Sequence, residues 1–144
     1  MLETDKAYIA GFVDGEGYIG ISIHRRKDWN RPYYTTQLNV YNTDIFALQS
    51  MAESAGVGSI YLAHRQERPE HKIGYVWRTT GLKAIELLKE LLPYLKVKHK
   101  QAELAIRFPA DGRSFHNNQA AQEAIREAIK ILNQGGKENA IRAL

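Results

Sequence analysis

The chain has 144 residues, 44% of them apolar and 25% charged, with a net charge of +4 and no cysteine. Length and apolar content suit a single soluble domain with a real core. Missing thiols exclude disulfides and thiolate metal sites, so a metal must sit on oxygen or imidazole, which favours hard cations; no apolar run approaches the roughly 20 residues of a membrane span, and Met1–Asp5 has neither the basic start nor the apolar run of a signal peptide.

The basic excess is mild support for a polyanionic partner. Its placement says more. Basic residues gather at His24-Arg25-Arg26-Lys27, at His64-Arg65 with Arg68, and at Lys96-Val97-Lys98-His99-Lys100.

A first helix is predicted over about Asp5–Asp14, with Thr4 or Asp5 as its N-cap. Ala7, Ala10, Gly11 and Asp14 share one face at i, i+3, i+4, i+7, small enough for a tight partner; Ile9, Phe12 and Val13 form a core face. Tyr18–Arg26 alternates as a half-buried strand, Ile19, Ile21 and Ile23 against Gly20, Ser22 and His24. After a polar loop carrying Trp29, Tyr33–Asn42 alternates again, so the two strands make a long hairpin. Asn42 or Thr43 caps a helix with Ile45, Leu48, Met51, Ala52 and Ala55 inward, ended by Gly56-Val57-Gly58.

Two further strands are expected at about Ser59–Arg65 and Lys72–Thr80. A helix over Leu82–Leu92 stops at Pro93, and another spans about Val97–Phe108. Asn117 or Asn118 caps a last helix holding Ala121, Ile125, Ala128, Ile129 and Leu132, closed by Gly135-Gly136. The order is αββαββ followed by helices, with no linker or low-complexity segment. It implies one α+β domain over 1–144: a core over 1–109, a C-terminal helix within 110–136 and a tail over 137–144.

The stretch Tyr8-Ile9-Ala10-Gly11-Phe12-Val13-Asp14-Gly15-Glu16-Gly17 concentrates the chemistry. A small-residue helix runs into an acid-Gly-acid-Gly turn, and Glu16 is expected just past the helix end. An acid beside a close helix–helix contact suits a metal-dependent nuclease working as a symmetric pair. The five histidines lack metal-ligand spacing, and no Gly-rich phosphate loop, Ser-His-Asp set or zinc pattern appears.

Ile9–Gly17 resembles the nine-residue signature of the LAGLIDADG homing endonucleases position by position, and the element order resembles that family's αββαββα fold, whose saddle-shaped antiparallel sheet lies on DNA. Leu95-Lys96-Val97-Lys98-His99-Lys100-Gln101-Ala102 is similar to a second family segment. A single motif in a chain of this length resembles the homodimeric members. The resemblance implies a site-specific double-strand DNA endonuclease, dependent on Mg²⁺ (with Mn²⁺ or Ca²⁺ as substitutes for binding), acting on a long pseudo-palindromic site. The expected compartment is a prokaryotic cytoplasm or an organelle. An intron RNA maturase, a non-cleaving DNA-binding relative and an unrelated basic interaction domain remain as alternatives.

Carried over residue by residue, the resemblance makes Glu16 the metal-binding acid, helped by the Gly15 carbonyl, and Lys98 the lysine that orders the hydrolytic water. Asp14 takes a structural rather than catalytic role at a dimer interface with Ala7, Ala10 and Gly11. Asn42 either positions the water or merely caps the following helix. Lys96 and Lys100 touch phosphates. DNA reading falls on outward strand residues: Ser22, His24, Arg26, Tyr33, Thr35, Gln37, Asn39, Ser59, Tyr61, Arg65 and Arg78. Arg78 has an acid partner as its alternative, and Trp77 belongs to the core.

Overall fold

The structure, a computed structural model, describes residues 1–28, 30–64, 70, 72–109 and 119–142. Helix α1 (Glu3–Glu16) leads into a hairpin of β1 (Gly17–His24) and β2 (Tyr33–Asn42). Then come α2 (Ile45–Ala55), β3 (Ser59–His64), β4 (Gly74–Thr80), α3 (Gly81–Leu91), a 3₁₀ turn at Leu92–Tyr94, α4 (His99–Ile106) and α5 (Gln119–Arg142). The four strands form one antiparallel sheet in the order β1-β2-β4-β3. One sheet face carries Ile19, Leu38, Val40 and Trp77 into a core shared with Ile9 and Val13 of α1, Leu48 and Met51 of α2, Leu88 and Leu91 of α3, and Ile129 of α5. The opposite face carries the exposed side chains of Tyr18, Tyr33, Tyr41 and Tyr61.

Local chemistry moves several boundaries. Asp5 reaches back to the Leu2 N–H at 3.0 Å, so α1 starts at Glu3, ahead of both expected caps. It also runs to Glu16, which is therefore the last helical residue and not a turn residue beyond it. The cap of α2 is Asp44, whose Oδ1 accepts from Phe46 N at 3.0 Å and Ala47 N at 3.2 Å. Gly56, at φ 69°, closes α2 in the left-handed region that glycine tolerates.

β1 ends at His24, before the expected Arg26, and β4 starts at Gly74. Expected features at Trp29, Arg65, Arg68, Pro69, Asn117 and Asn118 lie outside the described residues. α5 continues helically through Gly135-Gly136, because glycine weakens a helix by only about 1 kcal/mol unless it turns left-handed. Ala121, expected inward, is exposed; Gln122 is buried instead, donating to the Pro109 carbonyl at 2.9 Å.

α5 shields the edge strand β1. Asn133 Nδ2 donates to the Ile19 carbonyl at 2.9 Å, occupying an acceptor on the strand's open side. Tyr34 Oη donates to Glu123 at 2.7 Å; burial, then Glu123, raises the Tyr34 pKa, and the same hydrogen bond lowers that of Glu123. Among the described residues no helix is long and apolar enough to cross a membrane.

Candidate active site at the end of the first helix

The last turn of α1 carries Asp14 and Glu16 and no basic residue, although a helix C-terminus disfavours negative charge. The two acids are accommodated differently. Asp14 turns toward its own chain. Its Oδ2 accepts from Lys96 N at 2.9 Å, and its Oδ1 from Val97 N at 3.1 Å and Lys98 N at 3.0 Å. Lys98 Nζ in turn donates to the Asp14 carbonyl at 2.8 Å, capping an end carbonyl of α1. Partial burial pulls the Lys98 pKa below its usual value, with Asp14 acting in the opposite sense.

Glu16 is exposed, and Asn42 Nδ2 donates to its Oε2 at 3.2 Å. Asn42 Oδ1 accepts from Asp44 N at 2.8 Å, so this side chain orders the β2–α2 turn while orienting Glu16. The fold thus gathers Asp14, Glu16, Asn42 and Lys98 from α1, β2 and the entry to α4.

Within one chain no group of three or more His, Cys, Asp or Glu side chains gathers, among the described residues. The donor set at the end of α1 is a lone exposed carboxylate plus helix-end carbonyls such as that of Gly15. Hard oxygens at a negative helix end fit Mg²⁺ or Ca²⁺, whose remaining positions water or phosphate oxygens can take.

The outward side of α1 differs from the expected face. Ala10 is fully buried and cannot reach another chain. It lies beside Ile9 and Val13, because the stripe facing the core is wider than one row of residues. Asp14 points at residues 96–98. The exposed side is Ala7, Tyr8, Gly11 and Gly15, and a Cβ on Gly11 or Gly15 would meet nothing within 4 Å. Gly15 was legible as the next step of the i, i+4 spacing from Ala7 and Gly11.

On the open sheet face, cross-strand pairing sets His24 beside Tyr33, Ser22 beside Thr35, and Gly20 beside Gln37. Ser22 Oγ donates to Gln37 Oε1 at 2.6 Å, so these two engage each other. One register row crosses all four strands: Tyr18, Asn39, Arg78 and Ser59. Among the described residues Arg78 takes no acid: its Nε donates to Asn39 Oδ1 at 3.2 Å, and its guanidinium lies 5.7 Å from the centre of the Tyr61 ring. Asn39 is only 3% exposed although its neighbours Gln37 and Tyr41 are more open. Sequence reading omitted Tyr18 and Tyr41, both exposed on this face; the period-two row from Tyr33 to Asn39 would have reached Tyr41. Arg26 lies just past β1, and Lys96 and Lys100 are exposed near α4. Arg65 lies outside the described residues. Trp77 is buried and donates to the Val57 carbonyl at 3.0 Å.

Comparison with known proteins follows the same lines. The chain is similar to the homing endonuclease I-CvuI in complex with the I-CreI target in the presence of Mg, the DNA not cleaved: 25% identity, TM-score 0.75, covering 99% of this chain and 93% of that one. It is similar to the archaeal intron-encoded homing endonuclease I-Vdi141I complexed with DNA, at 19% identity and TM-score 0.76, over 93% of this chain and 87% of that. It also matches the LAGLIDADG homing endonuclease I-GzeII in complex with its DNA target, at 17% identity and TM-score 0.63, covering 88% of this chain but 43% of that longer one. A search of curated proteins gave no match. A model of the LAGLIDADG endonuclease family matches residues 9–104. With that match spanning most of the chain and the signature's acid standing exposed at the end of α1, the chain belongs to the LAGLIDADG endonuclease family.

Proposed function

We propose that this chain is a site-specific, Mg²⁺-dependent DNA endonuclease that works as a homodimer. Two copies pair through the Ala7-Gly11-Gly15 side of α1, where missing side chains let backbones approach closely. The pairing brings two Glu16 carboxylates to opposite strands of one duplex. A chain similar to I-GzeII over 43% of that protein's length fits one half of such an assembly. A two-fold pair reads a palindromic or near-palindromic site.

Glu16 and the Gly15 carbonyl would hold the cation. When bound, Mg²⁺ acidifies a water and stabilises the leaving oxygen of the phosphodiester. The protein's own part is positional. Asn42 fixes the Glu16 carboxylate, Asp14 locks residues 96–98 against α1, and Lys98 sits at the helix end where it can order a water and offset phosphate charge. The outer sheet face lies in the major groove, where a two-stranded ribbon fits, and Lys96 and Lys100 approach the backbone.

The observation that carries this is Glu16: an exposed acid at the negative end of a helix, oriented by a neutral amide. Glu16→Gln keeps the shape and removes the charge. It is expected to abolish cleavage while leaving specific DNA binding in place, read by nicking assay and by gel shift on the same site. Wild-type cleavage by this variant would refute the assignment.

A further inference from the structure

We propose that Arg78 is the anchored base reader of the sheet's central row, selecting guanine, and that Asn39 is its positioning residue and not itself a reader of bases. Arg78 can read a base only if this face lies on DNA, as proposed above.

An arginine that discriminates bases must present a fixed fork, since its long side chain otherwise has many rotamers to lose. Here the fork is held twice. Nε donates to Asn39 Oδ1 at 3.2 Å, and the guanidinium stands over the Tyr61 ring at 5.7 Å, inside the range of cation–π attraction. The Nε bond leaves the terminal Nη groups, which together make the bidentate contact to guanine O6 and N7 in the major groove. Adenine offers only one acceptor there, with a donor beside it that repels the second N–H.

Asn39 is arranged for the opposite task. A guanidinium only donates, so the Asn39 oxygen must face Arg78. Its Nδ2 donates to Tyr41 Oη at 3.2 Å. Both ends of the amide are therefore engaged, and the residue is 3% exposed. Tyr41 and Tyr61 are register partners of Val76 on the same face, one on either side of β4, and Val76 is 2% exposed between them. The chain Tyr41–Asn39–Arg78–Tyr61 thus spans three strands and ends on one donor fork.

The test is selection of randomised duplexes by the full chain, with Ca²⁺ in place of Mg²⁺, for wild type, Arg78→Lys, Asn39→Ala and Asn39→Asp. Wild type should demand guanine at one position in each half-site. Arg78→Lys should lose roughly tenfold or more of that preference, at that position alone. Asn39→Ala should weaken the same position, while Asn39→Asp, which keeps an acceptor for Nε, should retain the preference despite weaker binding throughout. The assignment is overturned if Arg78→Lys lowers affinity equally for all sequences, as a phosphate contact would. It is also overturned if Asn39→Ala alters a different base pair, which would make Asn39 a reader. Absence of any selected sequence with wild type would overturn the nuclease reading as well, and is distinct from both of those results.

Discussion

Asp14 and Lys98 are tied in both directions: the Asp14 carboxylate accepts the Lys98 backbone N–H at 3.0 Å, and the Lys98 ammonium donates to the Asp14 carbonyl at 2.8 Å. The pair joins the end of α1 to the start of α4. It gives the first acid of the signature a role on its own chain, and it places the lysine beside the helix end that displays Glu16.

Asp14→Asn should therefore damage structure before chemistry. One amide oxygen cannot accept from three N–H groups, and the new NH₂ faces donors. A loss of about 1–3 kcal/mol is expected for a buried-side polar mismatch, toward the lower end here because the carboxylate is partly solvated. Urea unfolding checks this; an unchanged midpoint would show that the three bonds contribute nothing.

Lys98→Met should cut the cleavage rate by roughly a hundredfold, in the range typical of a positioned proton-handling group, with DNA affinity little changed. Stability should respond to pH in a defined sense. Burial lowers the folded-state pKa of Lys98 below its ordinary 10.5. The desolvation cost is therefore full below the folded pKa and is relieved as pH rises through the interval up to the unfolded value. The stability of wild type relative to Lys98→Met should rise toward alkaline pH. A gap that widens in favour of Lys98→Met would reverse the sign.

Gly11 and Ala10 are adjacent in the chain and should behave oppositely. A Cβ at Gly11 would meet nothing within 4 Å among the described residues, so Gly11→Leu should fold at least as stably, gaining helix propensity. It should sediment as a monomer where wild type is expected to sediment as a dimer, and lose cleavage. Ala10 is fully buried, and Ala10→Leu should destabilise the chain by about 1–3 kcal/mol through overpacking. Sedimentation and thermal unfolding of the two variants separate the effects. A dimeric Gly11→Leu would place the subunit contact elsewhere.

Asn42→Ala and Asp44→Ala separate orientation from capping. Asp44 makes the cap bonds of α2, so its loss should cost about 1 kcal/mol and leave cleavage nearly unchanged. Asn42→Ala frees Glu16 and should lower the cleavage rate by more than its effect on stability explains. Equal activity losses in both variants would make Asn42 a turn residue only.

The sequence by itself determined the order of elements, the hairpin of β1 and β2 and the bounds of β2, because alternation over Tyr33–Asn42 has no other solution with one buried face. It also determined that an acid follows closely on the small-residue helix, although α1 runs two residues past the expected Asp14 and so makes Glu16 its last residue. Only the tertiary structure decided that Ala10 faces inward and Gly15 outward, because a helix with small residues on several sides takes its orientation from the sheet beneath it. Only the tertiary structure decided the partners of Asp14, which lie 82 to 84 positions away. Likewise, alternation marks Asn39 as outward but is blind to Arg78 on the neighbouring strand. Periodicity reports which side of its own element a residue occupies; what lies across from it is settled by strand order and packing, where contacts join residues far apart in the chain.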